Sequence, residues 1–176
     1  MVMGIYGVKT GKGSYKEYCL VNRGTSEPIN WVDNATQLIG KSKDMSASLK
    51  EAKNFVNSNK NKEVTMVGHS KGGAEAVANA IYTNTNAIVF NPAKPNLKAL
   101  NLSTKNYKKN ITSYVVNGEI LFLMYGYIGV GKLVLLPTIY KNKWYTAFMW
   151  KRNIEYAINN HMIEAVIKSL KKAGYK

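Results

Sequence analysis

At 176 residues the chain is about one domain long, taking roughly 150 residues per domain, and folding at this size buries about 70% of the unfolded surface without help from disulfides or a structural metal. Apolar residues at 45% and charged residues at 20% exclude a disordered tail, a collagen-like repeat and an extended coiled coil. The 25 Lys and Arg against 10 Asp and Glu leave a net charge of +15, which calls for an anionic partner and suits an anionic membrane surface and nucleic acid alike.

The single cysteine, Cys19, excludes an internal disulfide, and with two histidines it is too little for an ordinary zinc site, so neither a metal nor a cofactor is expected. Met1 to Thr10 has no basic stretch followed by an apolar one. Sec-type export is therefore not expected, which leaves the cytoplasm or a route that reads no such signal.

In chain order, Gly4 to Lys9 and Tyr15 to Val21 read as strands joined by a glycine-containing turn, an N-terminal hairpin. Pro28 to Leu38 reads as a loop and short helix carrying Trp31. Between Ser46 and Asn57 the spacing of Leu49, Ala52 and Val56 predicts an amphipathic helix. Val64 to Val67 is a brief buried strand, Ala74 to Tyr82 an Ala-rich helix, and Ala87 to Phe90 and Ile111 to Val116 two further strands. The polar stretch from Lys94 to Asn110 is a connector. Ile120 to Ile139 is long enough to cross a bilayer, but Lys132, Pro137 and three glycines predict a core strand with a loop. Asn160 to Ala173 is the last helix, with Gly174 as its stop. Strands alternating with helices predict one α/β domain over residues 1–176, with a largely parallel central sheet and flanking helices.

Gly68-His69-Ser70-Lys71-Gly72 fits G-x-S-x-G and lies between a predicted strand and a predicted helix, the setting of a nucleophile elbow. Gly68 and Gly72 suit a turn so tight that side chains have no room there. Ser70 then stands at a helix N-terminus, with the N–H of Lys71 able to meet an oxyanion. The alternative is an ordinary serine N-cap.

A serine nucleophile needs a base. His69 is expected to point away from its neighbour in so sharp a turn, which leaves His161, and a predicted helix start at Asn160 would keep that imidazole neutral. The order Ser, acid, His restricts the third member to Glu75, Glu119 and Glu155. Glu119 follows a strand and the Asn117-Gly118 turn, at the sheet edge where α/β proteins place their sites, and is the preferred acid.

These residues resemble the lipase class 3 family of α/β-hydrolases, in particular its smaller bacterial members, over most of the chain. Cys19 to Thr25 is similar to the strand ending in R-G-[ST], and the resemblance implies that Thr25 lends a backbone N–H to the oxyanion hole. Ser26 to Asn34 is similar to a short lid, of which Ile29 and Trp31 would form the apolar face. Val64 to Ala74 resembles V-x-G-H-S-x-G-G-A, Val115 to Ile120 resembles V-V-N-x-x-D-x-V, and Tyr127 to Gly131 resembles G-Y-x-H-x-G. Three departures stand out: Glu119 replaces the usual Asp, Lys71 replaces the usual Leu, and a shorter chain leaves no deep acyl-binding tunnel to be expected.

The resulting expectation is an esterase or lipase acting on lipid or phospholipid esters through Ser70, His161 and Glu119. Trp144, Tyr145, Phe148 and Trp150, beside Lys141, Lys143, Lys151 and Arg152, suit a membrane interface or a partly buried element with a basic face. The alternative is a non-catalytic basic domain on a hydrolase scaffold that binds anionic membrane or nucleic acid.

Overall fold

The computed structural model of the protein describes residues 3–9, 13, 15–23, 43–141 and 150–175. Two strands, β1 (Met3–Lys9) and β2 (Tyr15–Asn22), form the antiparallel hairpin, with Tyr6 opposite Cys19. Helix α1 (Lys43–Ser58) leads to β3 (Glu63–His69), α2 (Lys71–Thr83) and β4 (Asn86–Phe90). After the polar connector come β5 (Ile111–Val116), a short α3 (Ile120–Tyr125), β6 (Lys132–Leu136), α4 (Trp150–His161) and α5 (Ile163–Lys172).

All six strands make one sheet in the order β1-β2-β3-β4-β5-β6, parallel from β2 onwards. A strand order that steps by one neighbour each time, with right-handed crossovers, puts the crossover helices on the same face. Accordingly α1 and α2 share a core with Leu20, Val64, Met66, Ala87 and Val89. Helix α2 can lie close to the sheet because Ala74, Ala76, Ala78 and Ala80 are small and almost wholly buried. Each larger side chain sealed there, such as Met66 or Val77, contributes about 1.5–3 kcal/mol.

The opposite face is covered differently. Val166 and Leu170 of α5 pack on Tyr114, Val116, Val134 and Leu136, over β5 and β6. Over the hairpin half, Tyr6 and Val8 are exposed, and Ile88 on β4 is 39% exposed. Cys19 is only half-buried, because it alternates onto this less covered face; burial still raises its thiol pKa, with Glu17 adding to the rise.

Two expectations need correcting. The apolar run from Ile120 contains the expected core strand, β6 at Lys132–Leu136, but it opens with a helix, α3, that the expected strand and loop did not include, where the Glu119 carboxylate caps the helix. Among the described residues, no helix is long and apolar enough to cross a membrane. The final helical region is two helices, α4 and α5, broken at Met162, whose extended backbone ends one and caps the next. His161 is thus the last residue of α4. It does not start a helix, so the helix N-terminus expected beside its imidazole is absent there.

Candidate active site

Parallel strands point their C-terminal ends the same way, and the candidate residues gather at that edge. Ser70 follows β3 directly with φ 56° and ψ −126°, left-handed backbone that costs a non-glycine residue about 1–3 kcal/mol. The turn is held because its N–H donates to the carbonyl of Phe90 (3.2 Å), while its own carbonyl accepts from Gly73, Ala74 and Ala93. Gly68 is required: a Cβ there would lie 2.1 Å from the carbonyl oxygen of Gly72. Gly73, which the sequence reading passed over, lets Pro92 approach, since its Cβ would lie 2.8 Å from that of Pro92.

Ser70 stands at the N-cap of α2, yet its side chain makes no capping bond. Its hydroxyl instead donates to Nε2 of His161 at 2.9 Å. Nδ1 of His161 meets Oε2 of Glu119 at 2.6 Å. A carboxylate only accepts, so Nδ1 carries the proton and Nε2 is left with its lone pair toward the serine. All three side chains are buried, Ser70 the least so at 7% exposed.

Glu119 does more than face the histidine. Its Oε2 also accepts from the backbone N–H of Leu121 at 3.0 Å, and its Oε1 accepts from that of Phe122. The extra methylene relative to Asp lets the carboxylate turn back over the first turn of α3 while still reaching His161. Of the other acids, Glu155 is exposed on α4, and Glu75 is buried on α2; the relay uses neither.

Three residues that sequence reasoning missed hold the imidazole in place. Asn91, just after β4, donates from Nδ2 to the carbonyls of Asn160 and His161, both at 3.0 Å, and accepts from Val116 N–H on β5. His69 donates from Nε2 to the His161 carbonyl at 2.7 Å, its ring tilted against that of His161. These bonds satisfy carbonyls that the end of α4 leaves without intrahelical partners. Asn160 bonds the backbone of Ile139 and Tyr140, anchoring the segment after β6. A cue did exist in Asn91, which directly follows the strand ending at Phe90, but nothing in its position names a partner.

Burial lowers the His69 pKa from 6.5 to about 4, helped by the neighbouring His161 and opposed by the bond to its carbonyl and by Glu164. His69 is therefore a neutral donor at pH 7. Lys71 opens α2, so its N–H belongs to the first turn, whose donors point out of the helix end toward the serine. Thr25 and the lid residues Ile29 and Trp31 lie outside the described residues, as do Trp144, Tyr145 and Phe148. Among the described residues, no group of three or more His, Cys, Asp or Glu gathers as a metal site would require.

Residues 4–134 match the family model of the Tle-like phospholipase domain. The chain belongs to this phospholipase-like family. The match covers most of the sheet, ending within β6, together with Ser70 and Glu119, and stops before His161, which α4 brings back to the edge. It supports ester hydrolysis of the phospholipase kind in general. No curated protein matches the chain.

Proposed function

We propose that this phospholipase-like chain is a serine hydrolase of lipid esters, acting through an acyl-enzyme with Ser70 as nucleophile, His161 as base and Glu119 as the acid that orients it. The single observation supporting this most strongly is the unbroken hydrogen-bond chain from Ser70 Oγ through both ring nitrogens of His161 to Glu119. The likeness to lipase class 3 motifs points the same way.

In this reading the Ser70 oxygen attacks the ester carbonyl as its proton passes to His161 Nε2, and Glu119 stabilises the imidazolium. The tetrahedral oxyanion is held by the N–H of Lys71 and, by the resemblance, that of Thr25. Collapse breaks the bond to the alcohol, which leaves with the proton from His161. Water, deprotonated by the same imidazole, then attacks the acyl-serine and releases the acid, returning the proton to Ser70. The +15 charge has a separate part, holding the enzyme on anionic lipid surfaces.

The test is hydrolysis of short p-nitrophenyl esters. Ser70→Ala is expected to lose at least about 10³-fold in kcat with the fold intact, leaving only what binding and the oxyanion hole supply. Undiminished turnover by the folded variant would contradict the proposal and favour the non-catalytic basic binder, which needs no geometry at Ser70.

A further inference from the structure

A cleft of about 540 Å³ opens at the C-terminal edge of the sheet, on the face opposite α1 and α2. Its wall starts with Gly68 and His69, the two residues immediately before the nucleophile, and crosses the ends of β2, β3 and β4. Consecutive Cα atoms stand about 3.8 Å apart, so the cleft begins one residue from Ser70. Its volume falls within the roughly 300–1,000 Å³ usual for ligand sites, and the outer ends of parallel strands are where such sites form.

The lining is mostly apolar. Val21 and Val67 alternate onto this face of β2 and β3, Phe90 comes from β4, and Ile163 from the start of α5, 39% exposed. Arg23, exposed at the end of β2, supplies a permanent cation beside Asn22. Among the described residues, α5 packs on β5, β6 and Phe90 at the end of β4, while Tyr6 and Val8 of the hairpin stay exposed on this side. A dry wall with a guanidinium at one end and the nucleophile's own strand behind it matches an anionic amphiphile better than a sugar, a peptide or a nucleotide.

We propose that this cleft is the acyl subsite: it takes the chain of the scissile ester of an anionic phospholipid, laid against Val21, Val67, Phe90 and Ile163, while Arg23 meets the phosphate. This rests on the reading of Ser70 as nucleophile and adds the substrate's chain and charge. It also replaces the expected absence of an acyl-binding tunnel with an open, shallow equivalent.

Two measurements test it. The first is the ratio of kcat/KM for a C16 to a C4 p-nitrophenyl ester, compared between the native chain and Val21→Trp and Val67→Trp, which fill the cleft from two strands. The ratio is expected to fall at least tenfold in both. The second is binding of cis-parinaric acid to Ser70→Ala protein, read by fluorescence and needing no turnover. Binding is expected, with Val21→Trp weakening it at least tenfold and Arg23→Gln weakening it severalfold and reducing its salt dependence. A ratio and a parinarate affinity that both ignore the tryptophans would overturn the subsite. If only Val67→Trp lowers the ratio while parinarate binding to Val21→Trp is unchanged, the effect comes from disturbing the elbow and the subsite is likewise overturned. Parinarate binding that the tryptophans block, in a chain that hydrolyses no ester, would uphold the cleft and refute the hydrolase reading.

Discussion

Glu119 caps α3 with the same carboxylate that accepts the hydrogen bond from His161 Nδ1, so the helix N-terminus helps fix the direction of the acid. Glu119→Gln keeps one oxygen to accept from the first turn of α3 and puts an NH2 group, which only donates, in place of the other, so it can no longer hold the imidazole in one tautomer. Its kcat is expected to fall by about 10⁴, whereas Glu155→Gln, exposed on α4, should stay near the native value. Comparable losses in both would contradict the assignment. His69 acts one step further out: its Nε2–H on the His161 carbonyl ties the backbone of His161 to the turn that carries Ser70. His69→Gln, which keeps a donor, should retain most of the activity, while His69→Phe should lose kcat with little change in KM. Equal kcat in the two variants would remove this positioning role. A pH dependence of stability follows as well. The folded pKa of about 4 lies below the ordinary 6.5, so the unfolded chain binds the proton more readily as pH falls between those values. The His69 contribution is whole above pH 6.5 and lost on the way down to pH 4, about 3 kcal/mol at most. Denaturant melts of His69→Gln should lack that part of the acid slope.

At the scale of elements, the strand-turn-helix unit around Ser70 is the feature the chain encodes most openly. A glycine at position 68, a serine at 70 and an Ala-rich helix each have one physical reason to be there, and each is visible without coordinates. Gly68→Ala tests the closest of these contacts. A methyl 2.1 Å from a backbone carbonyl forces the turn open, with an expected cost of about 1–3 kcal/mol and a shift of Ser70 away from His161. A melting temperature and kcat equal to the native ones would show that the turn tolerates the methyl. Other elements were less legible. Helix α4 escaped notice although Trp150, Ile154, Ala157 and Ile158 recur at helical spacing, because lysines and asparagines on either side look like loop. Helix α3 was hidden for the reverse reason: its six residues are apolar all round, and only the capping carboxylate, which sequence reads as a catalytic acid, marks its start. That Glu119, rather than Glu75 or Glu155, would stand beside His161 was readable from chain order and strand ends. The clamp of His69, Asn91 and Asn160 was not, because backbone carbonyls make no mark in a sequence.

For the molecule as a whole, charge and chemistry occupy different scales of screening. Exposed cations lose their reach within about 8 Å at physiological salt, while the buried relay is shielded from added ions. Vesicles rich in anionic lipid should therefore bind the protein strongly at low salt and weakly at high salt, while turnover of a soluble neutral ester changes little over that range. Each Lys or Arg near such a surface is worth about 1 kcal/mol, so a few suffice. Equal binding to neutral vesicles, or duplex DNA displacing anionic lipid at every salt concentration, would assign the +15 to another partner. Everything rests in the end on whether Ser70 is an activated nucleophile, and active-site labelling reads that most directly. A fluorophosphonate mixed with the native chain and followed by peptide mass spectrometry should leave one adduct, on Ser70, and His161→Gln should abolish it in a folded protein. Contradiction would come from a native, folded chain that takes up no label, or from equal labelling of Ser70 with and without His161.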